Sequence, residues 1–146
     1  MAAPQRTQRK NAKIMKCKDP QIIKRSDELS YRVIGAAMEV HRRLGPGLIE
    51  PIYEEFLCHE LALRKIPFEK QKPLSIVYKN FRLDCGYRLD IVVDKLVILE
   101  LKSVERITPL HEAQLRTYLK LSGTWLGLLM NFNVILLKKG IHRIVN

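Results

Sequence analysis

Acidic residues, cysteines and long apolar runs are all scarce in this chain of 146 residues. No apolar run is long enough for a transmembrane helix, so we expect no membrane span. The first residues lack the apolar middle region of a secretory signal peptide, and none is expected. The three cysteines, Cys17, Cys58 and Cys85, are far apart and form no CxxC pair. This spacing argues against a disulfide framework or a cysteine zinc site and favours a reducing compartment, which we take to be the cytoplasm.

The shortage of acidic residues gives the chain a strong positive charge. Lys and Arg number 26 against 15 Asp and Glu, a formal net charge of +11. Residues 1–25 hold eight Lys and Arg against one acid, Asp19, which accounts for +7 of that charge. Hydrophobic residues make up 47% of the whole chain, which is enough to build a core. We therefore predict a basic, disordered tail over residues 1–25 and one folded domain over residues 26–146.

Three interpretations of the basic tail stay open. The first is an arm that binds a polyanion such as nucleic acid, because Lys and Arg beside phosphates release counterions. The second is an inert solubilising segment, since charge alone identifies no partner. The third is a mitochondrial presequence, although the apolar face of the segment is thin for that role. The sequence gives no indication of the oligomeric state.

Apolar spacing predicts two helices at the start of the domain. Ser26 is expected to cap the first helix, whose apolar residues recur at three- and four-residue steps up to Leu44. Gly45-Pro46-Gly47 then ends this helix, because glycine adopts left-handed backbone and proline cannot continue a helix. Pro51 suits the first position of a second helix, which we expect to reach about Lys65.

The pattern then changes to the two-residue period of strands, with one helix inserted. Thr108 and Pro109 are expected to begin that helix as its cap and first residue, and Gly123 to end it. The predicted strands span residues 74–78, 82–93, 96–102, 125–132 and 134–138. Helices placed between runs of strands predict an α/β domain with a central mixed β-sheet flanked by helices.

The strands around residues 90 and 100 bring charged residues into an apolar hairpin. If the apolar residues at odd positions share one buried face, paired positions sum to 190 and Asp90 lies opposite Glu100. A two-residue turn at Asp94-Lys95 would split the apolar set between faces, so we predict a three-residue or bulged turn. Lys102 then lies two residues beyond Glu100 on the same face.

Two converging carboxylates repel each other unless a cation lies between them. Hard oxygen ligands at this spacing suit Mg²⁺ or Mn²⁺, and Lys102 beside them is placed to orient or deprotonate a water molecule. This set is workable for phosphodiester hydrolysis. The alternative is an ordinary solvated hairpin face, because this residue pattern also arises by chance. Val92 and Ile98 on the same face favour the catalytic interpretation, since they make that face partly apolar.

Longer motifs add a family resemblance to this reasoning. Residues Gly47 to Tyr53 read GxxExxY. The other pieces are residues 34–41 (IGAAMEVH), 83–90 (LDCGYRLD), 100–102 (ELK) and 111–119 (HEAQLRTYL). On these pieces the chain resembles the GxxExxY protein family, a branch of the PD-(D/E)XK nuclease superfamily, over residues 27–146.

The resemblance implies a restriction-endonuclease-like core in αβββαβ order with an extra N-terminal helix. It implies that Asp90 and Glu100 bind the metal and that Lys102 is the catalytic lysine. The other catalytic residues that it implies are Glu50, Gln114 and Tyr118. The implied function is a Mg²⁺- or Mn²⁺-dependent nuclease that acts on nucleic acid, with DNA favoured over RNA. The alternative is a non-catalytic nucleic-acid-binding or protein-interaction module that retains the nuclease-like fold.

Two positions depart from the family pattern. Leu89 replaces the proline of the superfamily name, which supplies no ligand. Pro51 follows Glu50 directly and biases it away from helical backbone, so Glu50 is expected to cap the helix instead of lying within it. Asp84 is a further candidate acid near the site. Tyr53 and His41 are expected in the core.

Overall fold

A computed structural model of the protein describes residues 18–84 and 86–146. Within these residues the chain forms three α-helices, seven β-strands and a short 3₁₀ helix. The helices are α1 (Pro20–Leu44), α2 (Glu50–Leu63) and α3 (Pro109–Ser122). The strands are β1 (Phe68–Pro73), β2 (Ile76–Tyr78), β3 (Phe81–Leu83), β4 (Arg88–Val93), β5 (Val97–Lys102), β6 (Leu126–Asn131) and β7 (Ile141–Val145). The 3₁₀ helix is Leu137–Gly140.

Five strands form one mixed sheet in the order β1-β4-β5-β6-β7. The pair β5–β6 is parallel and is joined through α3, whereas the other neighbouring pairs are antiparallel. The strands β2 and β3 pair only with each other, as a separate hairpin. The predicted α/β class with a central mixed sheet between helices is therefore confirmed.

Each face of the sheet carries its own hydrophobic core. On one face, Val33 of α1 and Leu57 of α2 belong to the same core as Leu99 of β5. On the other face, Leu115 of α3 belongs to a core with Ile98. Gly127 lets α3 approach the sheet closely, because a Cβ atom there would lie 3.0 Å from the Leu115 side chain. No helix in the described part of the chain is both long and apolar enough to cross a membrane.

The register of the central hairpin agrees with the prediction. Ile91 pairs with Leu99 and Val93 with Val97, so the paired positions sum to 190. The turn between the strands has three residues, and two of them, Asp94 and Lys95, adopt positive φ angles of 47° and 57°. The longer turn keeps the apolar residues of both strands on one face. It also brings Asp90 towards the strand that carries Glu100.

The first helix begins earlier than the sequence indicates. It starts at Pro20 and is capped by Asp19, whose side chain accepts a hydrogen bond from the backbone N–H of Gln21 at 2.8 Å. Ser26 lies within the helix and donates to the carbonyl of Ile22, so the prediction that it caps the helix was wrong. Residues 20–25 are thus helical, while residues 1–17 of the predicted tail lie outside the described residues. The division into tail and domain stays a prediction.

The strands differ from the prediction in four places. The edge strand β1 was missed, because its sequence FEKQKP is mostly polar and has no apolar period. The predicted strand 82–93 is split into β3 and β4 around Gly86, whose φ is 76°. Residues 134–138 contain a bend and the start of the 3₁₀ helix instead of a strand. The last strand is β7, a sheet edge whose IHRIV sequence carries a weaker apolar signal.

Candidate active site

The carboxylates of Asp90 and Glu100 each reach the backbone of the other strand. The N–H of Leu101 donates to Oδ2 of Asp90 at 2.9 Å, and the N–H of Asp90 approaches Oε1 of Glu100 at 3.4 Å. The regular pairing of β4 with β5 stops at Ile91 and Leu99, just before these residues. Beyond that point, the two side-chain carboxylates accept the hydrogen bonds from the backbone of the neighbouring strand. Asp90 and Glu100 therefore lie together at the end of the β4–β5 pairing.

Burial and mutual repulsion make the ionised forms of this pair unfavourable. Glu100 is only 6% exposed. Burial, followed by the charge of Asp90, raises the pKa of Glu100 to about 8. The pKa of Asp90 is also raised, mainly by burial, although the hydrogen bond from Leu101 opposes the shift. A cation placed between the two carboxylates would offset both effects.

Lys102 is the nearby positive charge. It ends β5 and is half-buried, and its charge lowers the pKa values of Asp90, Glu100 and Glu50 against the effect of burial. No ion pair joins its ammonium group to a carboxylate among residues 18–84 and 86–146. The backbone around it is fixed, since the N–H of Phe132 donates to the Lys102 carbonyl at 2.9 Å. The ammonium is therefore close to the acids without being paired to one of them.

Glu50 joins the cluster from the N-terminus of α2. It is the first helical residue, and Ile49 occupies the cap position, so the expectation that Glu50 caps the helix was wrong. Pro51 fits the second helical position because the first turn needs no backbone N–H donor there. Burial and the charge of Asp90 raise the pKa of Glu50. The GxxExxY glutamate thus acts electrostatically on the same site as the hairpin acids.

Hydrogen bonds hold the loop before α2 against the end of β5. The Tyr53 hydroxyl donates to the carbonyl of Gly45 at 2.6 Å and accepts from the N–H of Leu48 at 3.1 Å. The Ser103 hydroxyl, directly after Lys102, donates to the carbonyl of Leu48 at 2.6 Å. Tyr53 is fully buried and stacks on Phe132 with ring centroids 4.6 Å apart, which confirms its core role. The motif tyrosine therefore positions the loop that carries Glu50.

Sequence reasoning missed two residues of the cluster, Glu54 and Gln71. Glu54 lies one helical turn after Glu50, is buried, and raises the pKa of Asp90 through its charge. The Gln71 side chain donates to Oε1 of Glu54 at 2.7 Å and also lowers the pKa of Asp90. The four-residue spacing from Glu50 was a signal for Glu54, because such residues share a helical face. No sequence signal marked Gln71, whose φ of 53° places it in left-handed backbone.

The two predicted residues on α3 differ in burial. Tyr118 is buried, and burial together with the charge of Glu100 raises its pKa. Gln114 is exposed one turn earlier and makes no hydrogen bond among the described residues. Tyr118 is therefore brought to the cluster, and a role for Gln114 stays a prediction.

The remaining candidates make their contacts with other residues. Asp84 is exposed on the hairpin side, where it accepts hydrogen bonds from Ser75 and Arg82, and a role near the site stays a prediction. His41 is buried, and its Nε2 lies 2.9 Å from the carbonyl of Val134, which confirms a core histidine. Cys58 is buried as expected, and Cys85 lies outside the described residues.

Comparison with known protein families identifies the family of the chain. A family model of the PD-(D/E)XK nuclease superfamily matches residues 27–144. The chain belongs to the PD-(D/E)XK nuclease superfamily. No curated protein and no solved structure was found to match the chain. The mixed sheet between helices is consistent with the restriction-endonuclease-like core of this superfamily, and the GxxExxY branch fits the assignment.

Nucleases of the PD-(D/E)XK superfamily generally use divalent metals, and the donor set here suits one. Asp90 and Glu100 offer hard carboxylate oxygens whose shared burial leaves negative charge to be neutralised. Among the described residues, no group of three or more His, Cys, Asp and Glu side chains is arranged to hold a metal ion. Two carboxylates nevertheless fit a metal such as Mg²⁺, which keeps several water ligands and binds substrate phosphate.

Proposed function

We propose that the protein is a metal-dependent nuclease that hydrolyses phosphodiester bonds in nucleic acid. The observation that carries the proposal is the desolvated pair Asp90 and Glu100 beside the unpaired ammonium of Lys102. Burying two acids together is unfavourable for folding unless a cation or a proton compensates. An arrangement of this kind is typical of functional sites, because it trades stability for a charged reaction centre.

Each residue of the cluster has a proposed role. Asp90 and Glu100 hold the metal, which when bound activates a water molecule and stabilises the leaving oxygen. Lys102 orients the attacking water and stabilises the charge that develops on the phosphate. Glu50 adds a further carboxylate beside Asp90, and Tyr118 supports Glu100 from α3. Gln71 positions Glu54 by donating a hydrogen bond to its carboxylate.

The remaining parts of the proposal concern conditions and substrate. The net charge of +11 supports a polyanionic substrate, and we propose DNA in preference to RNA. We propose Mg²⁺ or Mn²⁺ as the metal, since carboxylate oxygens suit both ions. We propose the cytoplasm as the location.

A cleavage assay with a lysine control tests the nuclease proposal. The purified chain is incubated with labelled single- and double-stranded DNA and RNA in Mg²⁺, in Mn²⁺ and in EDTA. We expect cleavage only with metal, and a loss of about 100-fold or more in Lys102→Ala, because the charged group beside the phosphate is removed. Lys138→Ala, an exposed lysine on the 3₁₀ helix, should keep wild-type activity.

Two results would overturn the proposal. One is cleavage that Lys102→Ala and EDTA leave unchanged, which would indicate a contaminating enzyme. The other is salt-dependent binding of nucleic acid without cleavage under any metal, which would favour the non-catalytic binding module.

A further inference from the structure

The β2–β3 hairpin presents an apolar face that is largely exposed, with Ile76 half-buried at the root end. Tyr78 pairs with Phe81 and Ile76 with Leu83, so the alternation of strands places these four side chains on one face. Tyr78 is 69% exposed, Phe81 67% and Leu83 48%. Monomeric proteins rarely expose aromatic and aliphatic side chains together in this way without a binding role. We call these four residues the hairpin outer face.

The hairpin is fixed at the end of the sheet that carries the acid cluster. Its root extends the β1–β4 pair, since the N–H of Leu74 donates to the carbonyl of Tyr87 at 2.9 Å. Ser75 and Asp84 hydrogen-bond across the next step at 2.8 Å. Asp90 lies in the strand that leads away from this root, three residues after Tyr87. The hairpin is therefore attached directly to the strand that carries Asp90.

Aromatic rings connect the hairpin root with the acid cluster. Tyr87 is 49% exposed at the root, and its ring centroid lies 6.3 Å from that of Tyr118. Tyr118 in turn lies close enough to Glu100 to interact with its charge. Tyr87 and Tyr118 thus place aromatic rings between the hairpin root and the proposed reaction centre.

The charges around the hairpin select the kind of partner. Among the described residues, Lys79 and Arg88 form no ion pair, and the Lys79 ammonium lies 5.4 Å from the centre of the Tyr78 ring. The nearby acid Asp84 is already bonded by Arg82 and Ser75. A second copy of the chain meeting this face by twofold symmetry would bring like charges together. A polyanion that carries planar groups complements this surface, because its planar groups stack on the aromatic rings and its negative charges bind the cations.

From these observations we propose that the hairpin outer face is a platform on which unpaired bases of a nucleic acid stack, with Lys79 and Arg88 binding the flanking phosphates. Aromatic platforms of this kind bind single strands without reading sequence, because every base has a planar face. A duplex hides those faces within its own stack. The inference rests on the proposed function for its choice of nucleic acid, and it names single-stranded substrate as the preferred class.

Binding measured in EDTA tests the platform separately from cleavage. Fluorescence anisotropy compares a labelled single strand with its duplex, using the full chain and the double variant Tyr78→Leu/Phe81→Leu. Leucine keeps the apolar character of the hairpin but removes the stacking rings. We expect single-strand affinity to fall about tenfold or more in the variant, whereas duplex affinity changes little. Ile135→Leu, a conservative change at an exposed apolar residue outside the hairpin, should bind like wild type.

Further measurements distinguish the platform from its competitors. Lys79→Ala should reduce the salt dependence of single-strand binding by about 0.7 in slope, as expected for one lost phosphate contact. Equal single-strand affinity of wild type and the leucine variant would overturn the proposal, whether or not the enzyme cleaves. A wild-type dimer that the leucine variant converts to monomer, with single-strand binding unchanged, would instead assign the face to self-association. If cleavage fails but the aromatic dependence of binding holds, only the nuclease proposal falls.

Discussion

At the scale of single residues, Glu100 combines near-complete burial with a neighbouring negative charge. The hydrogen bond that it accepts from the backbone N–H of Asp90 is long at 3.4 Å. Burial and the charge of Asp90 therefore outweigh the stabilising effects of that bond and of Lys102, and the pKa rises to about 8. The fold therefore holds the ionised carboxylate of Glu100 at some cost in stability.

The raised pKa of Glu100 predicts that the metal-free protein loses stability as pH rises. A carboxyl group whose pKa is higher in the folded than in the unfolded state binds its proton more tightly when the protein is folded. Its contribution to the stability of the folded protein is therefore present below about pH 4.5 and is lost by about pH 8. Glu100→Gln removes the ionisation. We expect the variant to be more stable than wild type in EDTA above pH 8, by on the order of 2–4 kcal/mol, and similar near pH 4.5. Denaturant unfolding across this pH range measures the difference.

An exposed carboxylate provides the control for this pH series. Glu105→Gln lies in the loop after β5, outside the cluster, and should show no such growing difference. A Glu100→Gln variant whose stability relative to wild type does not change between pH 5 and about 8 would show that the glutamate ionises freely. The interpretation of the site as desolvated would then be wrong.

At the scale of elements, the edge strand β1 shows how a strand with little apolar pattern still serves the site. Its pairing with β4 runs from Phe68 opposite Val93 to Pro73 opposite Arg88. Gln71 interrupts the strand with a φ of 53° and directs its amide to Glu54. Left-handed backbone costs a non-glycine residue about 1–2 kcal/mol, which the interactions of the amide with the buried acids offset.

Substitutions at Gln71 separate its backbone strain from its hydrogen bonds. Gln71→Ala keeps the strain and loses the bonds, so we expect the free energy of unfolding to fall by about 1–3 kcal/mol. Gln71→Gly loses the same bonds but relieves the strain, and should be more stable than the alanine variant by about 1 kcal/mol. Chemical denaturation of the three proteins in EDTA measures both differences. Equal stability of the two variants would argue against strain at this position.

Other elements show why local patterns were sufficient in some places and not in others. The capping signal at Thr108 was correct, since Thr108 accepts from the N–H of His111 while His111 accepts from the N–H of Thr108. At the first helix, Asp19 and Ser26 both carry capping side chains, and only the actual chain path selected Asp19. Capping depends on backbone geometry that residue type alone does not fix.

At the scale of the whole molecule, metal binding should couple to global stability. A ligand that binds only the folded state stabilises it, by about 2.7 kcal/mol at a concentration 100 times its Kd. We expect Mn²⁺ or Mg²⁺ to raise the Tm of wild type by several degrees and to leave the Tm of Asp90→Asn/Glu100→Gln unchanged. Differential scanning fluorimetry with and without metal, within each variant, measures the shift.

The exposed acid Asp84 supplies the matched control for metal binding. Asp84→Asn removes an exposed carboxylate beside the β2–β3 hairpin, where Asp84 is hydrogen-bonded to Ser75 and Arg82, so the Tm of this variant should still rise with metal. An equal rise in wild type and in the double variant would place the metal elsewhere on the protein. The assignment of Asp90 and Glu100 as metal ligands would then be wrong.

The amino-acid sequence by itself determined the α/β class, the register of the central hairpin and the association of Asp90 with Glu100. These follow from short-range rules, because the two-residue period of a strand and the length of a turn decide which side chains share a face. The tertiary structure alone decided that β1 completes the sheet and that Gln71 and Glu54 join the acid cluster. Those outcomes depend on how elements distant in sequence pack around a desolvated centre, and burial of that kind leaves no local period in the chain.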